Sequence, residues 1–182
     1  MLIIAPAAWP AARLGAQPQA KLPHLKIPAS KILEALSARF PLRFAVQGFM
    51  ELEVSDPALL LVTERKKIGA ALQLQAGGPA LGKRVTGKVD VLFGLRYESS
   101  DRTLRGRDPE VRGMRAPGVA PRTADAIENV MRALLSAMPA EVILHRFTSR
   151  ELALPDSMGF EPGNLNVLED GLNIEFVPKR RL

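Results

Sequence analysis

The residues able to do chemistry in this chain are few, and each has a plainer role to be weighed against. Gly77-Gly78-Pro79-Ala80-Leu81-Gly82-Lys83-Arg84 matches the G-x-x-x-x-G-K core of a phosphate-binding loop. That motif works only where a helix follows, so that its N-terminal N–H groups meet the phosphate. Here a two-residue hydrophobic period follows, and Arg84 stands where the magnesium-holding Ser or Thr belongs. The segment therefore reads as a glycine-rich hairpin loop. Only two histidines, His24 and His145, offer a general base, and no Ser lies in a G-x-S-x-G nucleophile motif. Glu51 and Glu53 share the polar face of a strand, where two carboxylates are ordinarily just solvated. The absence of cysteine excludes disulfides, thiolate metal sites and thiol nucleophiles. No catalytic, metal or cofactor site emerges, and the expectation is a protein that is not an enzyme.

A binding role is the remaining reading. The net charge of +6 favours anionic partners such as nucleic acid or lipid headgroups. Arg102, Arg105, Arg107, Arg112 and Arg115, with Lys83, Arg84, Lys88 and Arg96 nearby, make a basic surface conceivable, diluted by Asp101, Asp108 and Glu110. Aromatic residues are only 5%, which disfavours single-stranded nucleic acid, whose bases stack on aromatic platforms. Peripheral contact with an anionic membrane surface fits the same charge.

The elements that would position any site follow from hydrophobic period. A chain of 182 residues, 47% apolar, is long enough to bury a sizeable core. Pro23 to Ala29 is an extended lead-in. Ser30 is placed to cap a helix with Ile32, Leu33, Leu36 and Phe40 on one face, stopped by Pro41. From Val46 the period becomes two. Met50, Leu52 and Val54 point one way, Asp56-Pro57 marks a bulge or an edge, and Leu59 to Val62 resumes the strand. Ile68, Ala70, Leu72, Leu74 and Ala76 alternate next. Arg84 to Tyr97 is the clearest strand, about 46 Å long at ~3.3 Å per residue, with Val85, Val89, Val91, Phe93 and Leu95 on one face. Thr103 to Met114 returns, completing a four-strand antiparallel meander.

Ile127, Val130, Met131, Leu134, Leu135 and Met138 then recur at helical spacing over 121–138, with Pro139 ending the helix. Glu141 to Phe147 is extended, 148–160 is a loop with a helical turn, and Leu165–Val167 pairs with Leu172–Val177 around Glu169-Asp170-Gly171. The expected fold is α+β: a long, strongly curved antiparallel sheet wrapped around the second helix, with a short N-terminal helix. A helix of ~27 Å is too short to cover so long an apolar face. The expected site is thus an elongated apolar groove lined by Leu72, Leu74, Val89, Val91, Phe93 and Leu95 of the sheet and Ile127, Val130, Met131 and Leu134 of the helix.

Residues 1–20 form a separate Ala/Pro-rich segment ahead of a single domain over 21–182. Leu2 to Ala12 resembles the apolar stretch of a secretory signal and Leu14-Gly15-Ala16 its cleavage site, though a basic leading region is missing. Either the start lies upstream or this is an Ala/Pro tail, and the first reading places the domain in a periplasm.

The order of motifs resembles the YceB-like family of bacterial envelope lipoproteins, from about Ile27 to Phe176. The resemblance rests on Ser30-Lys31-Ile32-Leu33-Glu34-Ala35-Leu36, on Leu52-Glu53-Val54-Ser55-Asp56-Pro57, and on Gly87 to Tyr97. The helix from Ile127 to Leu135 and the stretch Phe160-Glu161-Pro162-Gly163 complete it. That family is similar to the tubular lipid-binding superfamily. The resemblance implies a curved sheet enclosing a lipid or another apolar small molecule, with no catalytic residues and no cofactor. The chain departs from the family in lacking the acylated cysteine that would tether it to a membrane.

Overall fold

The computed structural model describes residues 22–137 and 141–179, so the signal-like segment, Met138, Pro139 and Arg180-Arg181 lie outside it. Two antiparallel sheets carry the fold. The larger has the strand order β2-β3-β4-β5-β6-β7, with β2 Leu42–Val46, β3 Met50–Val62, β4 Lys67–Gly77, β5 Val85–Glu98, β6 Thr103–Arg115 and β7 Glu141–Arg146. It is strongly curled, like half a barrel. The smaller has the order β1-β9-β8, with β1 His24–Pro28, β8 Phe160–Leu168 and β9 Gly171–Pro178. Three helices complete the chain: α1 Ala29–Ser37, α2 Pro121–Ala137 and α3 Ser149–Ser157.

The meander β3–β6 follows the two-residue period, and β5 spans 14 residues. Its curl is helped by irregular pairing. Between Ser55 and Ala58 the β3–β4 register shifts, with Asp56 at φ 49°. The extra residue transfers the inward face from Met50, Leu52 and Val54 to Leu59 and Leu61. The β5–β6 pair shifts twice, once beside Asp108 at φ 49°. Asp56-Pro57 is therefore a bulge inside a strand.

Several local expectations are corrected. α1 begins at Ala29 with Pro28 as its N-cap and no side-chain cap bond, so Ser30 is a first-turn residue. Phe40 lies past the helix end, before a cis peptide to Pro41. The lead-in is strand β1, paired with β9 from His24–Glu175 to Pro28–Gly171. The segment after Phe147 contains a full helix, α3. Thr148 caps it: the Glu151 N–H donates to Thr148 Oγ1 at 3.2 Å, and the Thr148 N–H donates to Glu151 Oε2 at 2.7 Å.

The core has two halves. One joins Leu52, Leu74, Val85, Val89, Val91 and Val111 of the large sheet to Ile127 and Met131 of α2. The other joins Ile68, Leu104 and Leu144 of that sheet to Ile32 and Leu36 of α1 and to Ile27, Leu172, Ile174 and Phe176 of the small sheet. α2 runs against β6, and α1 runs between β3 and β7.

Candidate functional site

A cavity of about 140 Å³ lies where the two halves of the core meet. The sheet supplies its floor: Val54 of β3, Ala70 and Leu72 of β4, and Val91 and Phe93 of β5. Leu36 enters from α1 and Met131 and Leu135 from α2. Phe40, Leu42, Phe44, Pro109 and Val142 complete the apolar wall. Among the described residues, Arg39 is the only charged one on the lining. Floor residues Val54, Ala70, Leu72 and Val91 are buried, whereas Phe40, Leu42, Leu135 and Val142 are half-buried and Arg39 is exposed, so the mouth lies on their side.

Leu72, Val91, Phe93 and Met131 therefore meet at one cavity. The others do not. Leu74, Val89 and Ile127 are close-packed in the core beneath α2, and Val130 and Leu134 pack half-buried against that core. Leu95 belongs to the other half, beside the small sheet. The elongated groove is thus replaced by a compact void, with the rest of the sheet–helix interface filled. Ala70 was missed because a small residue in an alternating strand carries no signal of a gap. Leu42 and Phe44 were missed because β2, at five residues, is too short to show a period, and Phe40 because it was read as the last apolar position of the first helix.

No protein-family model matches the chain, and no curated protein sequence matches it.

The remaining candidates resolve into ordinary structure. Residues 78–84 form a loop between β4 and β5, with Lys83 and Arg84 exposed. Four arginines of the meander are engaged by acids, whereas Arg102 and Arg112 are exposed with no ion pair among the described residues. Arg105 meets Glu141 at 2.5 Å and Asp101 at 2.7 Å, and its Nε donates to Thr103 Oγ1 at 2.9 Å. Arg96 contacts Glu98 and lies 3.2 Å from Glu141. Arg107 pairs with Asp108 and Arg115 with Asp90, each at 3.3 Å. The Thr103 hydroxyl and then the Arg105 guanidinium hold the Asp101 carboxyl below the usual range, and the Ser100 N–H and hydroxyl do the same for Glu98.

His145 Nε2 sits 3.2 Å from Glu151 Oε1, at a buried position and without hydrogen-bond geometry. Its ring stands edge-to-face on Phe147, centroids 4.9 Å apart. Burial pushes the Glu151 carboxyl up, but the Thr148 N–H and hydroxyl and the His145 ring together hold it below its ordinary value. The group anchors α3 to β7. His24 is exposed on β1. Glu53 is tied to Arg43 at 2.6 Å on the sheet's polar face, beside an exposed Glu51. Among the described residues, no three His, Asp or Glu side chains converge into a metal-holding group, and no helix is long and apolar enough to cross a membrane.

Proposed function

We propose that this chain is a non-enzymatic binder of an apolar ligand, which it takes at the seam between α1, α2 and the curled sheet, in a bacterial periplasm. The carrying observation is the apolar cavity with one cation at its rim. A void of about 140 Å³ matches the size that stays dry and accepts a benzene-sized group, and falls below the ~300 Å³ of sites for drug-sized ligands. The occupant is thus a small apolar group or the end of an acyl chain. Arg39 has no ion pair among the described residues and suits an anionic head at the mouth. The half-buried rim residues Phe40 and Leu135 would turn aside for a longer chain. The periplasmic location rests on the signal-like segment and the resemblance to envelope lipoproteins.

The test is a fluorescent fatty acid at physiological salt, paired with native mass spectrometry and lipid extraction of gently purified protein. Saturable binding that disappears in a folded Ala70→Leu variant, which fills the floor, is the expected result. Equal binding by wild type and that variant overturns the cavity as the site. A second reading, an envelope structural protein with a packed interior, draws on the close packing of Leu74, Val89 and Ile127. Absence of probe binding together with no extracted lipid would favour it.

A further inference from the structure

We infer that the outer face of α3 is a docking surface for an anionic lipid bilayer. Leu154 of α3 and Met158, the C-cap that follows the helix, are 68% and 56% exposed and lie four residues apart, so they stand side by side at the helix end. Large apolar side chains scattered singly are ordinary, but an adjacent pair held on a capped helix is a fixed apolar patch. Leu152 and Pro155 face inward and tie the helix down, so the patch cannot be covered by rolling the helix over.

Charge selects the occupant. Arg150 lies one turn before Leu154, and Arg146 ends β7 just ahead of the helix; both are exposed, with no ion pair among the described residues. The acids of the helix are engaged elsewhere. Glu151 is turned in toward Thr148 and His145, and Asp156 is held by Lys179, whose hydrogen bond and charge keep its carboxyl below the usual range. Lys179 is also fixed by its N–H donating to the Gly159 carbonyl at 2.8 Å. Two apolar side chains with Arg150 one turn away, and with the acids of the helix engaged elsewhere, complement the acyl–headgroup boundary of an anionic leaflet. Arg96, Arg105, Arg107 and Arg115 of the meander are already held in ion pairs. The inference does not depend on what the cavity binds.

The test is co-sedimentation of the full chain with vesicles of phosphatidylglycerol and phosphatidylcholine, against vesicles of phosphatidylcholine alone. Wild type should bind the anionic vesicles, and weaken as salt rises. Leu154→Ser with Met158→Ser should lower the partition coefficient at least tenfold. Arg146→Glu with Arg150→Glu should lower it at least fivefold per position. All four positions are exposed or solvent-facing, so circular dichroism should report an unchanged fold. Phe49→Ser, which removes a 60%-exposed apolar side chain elsewhere on the molecule, should leave the partition unchanged. Equal binding to both vesicle types, or wild-type binding by the Leu154/Met158 variant, overturns the inference. So does a wild-type dimer in sedimentation that the same variant makes monomeric, since the patch would then belong to a second copy of this chain.

Discussion

The two halves of the core are built from different side chains under the same sheet. Beneath α2 the sheet presents two alanines, Ala70 and Ala76, and five valines, Val54, Val85, Val89, Val91 and Val111, beside Met50, Leu52, Leu72 and Leu74, with Met131 reaching down from the helix. Beneath α1 and the small sheet the buried residues are mostly Ile, Leu and Phe, among them Ile27, Ile32, Ile68, Leu104, Leu144, Ile174 and Phe176, nearly all fully buried. The second half is covered by a helix and a three-stranded sheet that hold large side chains on three sides. The first has a single helix over a sheet face richer in Val and Ala, and the void lies at its border. A flexible Met fills an irregular gap less completely than a branched residue. Cover and side-chain size together decide where space is left, and the large-residue half acts as the rigid support against which the other can open.

Phe176→Ala should break this contrast most severely. The side chain is 1% exposed, and a Phe-to-Ala truncation in a close-packed core costs about 3–5 kcal/mol. Urea unfolding should show that loss. Met131→Ala should cost about 2 kcal/mol, at the low end for such a change, because its site already borders a void and the half-buried rim can relax into it. Equal losses would mean that the halves are packed alike.

Substitutions that add volume sharpen the comparison. Ala70 and Ala76 are both buried on β4, but only Ala70 borders the cavity. Ala70→Leu should stabilise by about 0.5–1 kcal/mol, as cavity filling commonly does. Ala76→Leu should destabilise by about 1–3 kcal/mol through overpacking. Opposite signs in thermal unfolding check the pair, and a common sign would remove the distinction between them.

The smallest effect is local to the large-residue half. Glu151 has a lowered folded-state pKa, so its contribution is fully present above the unfolded value near ~4.3 and is lost as pH falls through the folded value. Hydrogen exchange of α3 should therefore quicken below about pH 4. Glu151→Gln should flatten that dependence. Thr148→Ala, which removes the cap hydroxyl, should cost about 1 kcal/mol at neutral pH. A pH response in Glu151→Gln equal to that of wild type would assign it to other carboxylates.

Strands β3 to β6 and helix α2 are legible in the residue order because each is long enough to repeat its period several times, and the period depends only on near neighbours. The α3 helix escapes because Leu152 and Pro155 are its only buried residues, and an internal Pro reads as a breaker, although Thr148 and Glu151 already spelled a capping box. Strands β1 and β2 escape for their length. At the candidate site, four residues follow from facing inward on periodic elements: Leu72, Val91, Phe93 and Met131. That they border empty space, while Leu74, Val89 and Ile127 on the same faces do not, follows from no local pattern.

What remains was decided by partners distant in the chain. Five arginines within fourteen residues read as one basic surface, but Arg105 is neutralised by Glu141, 36 positions away. The terminal strands form a second sheet because β1 meets β9, joining residues 24–28 to 171–175. The bulges that exchange inward and outward faces in β3 and β6 are set where strand pairs come together. Periodicity states which side of an element is apolar. It does not state what packs against that side or how completely, and a cavity is defined by that incompleteness.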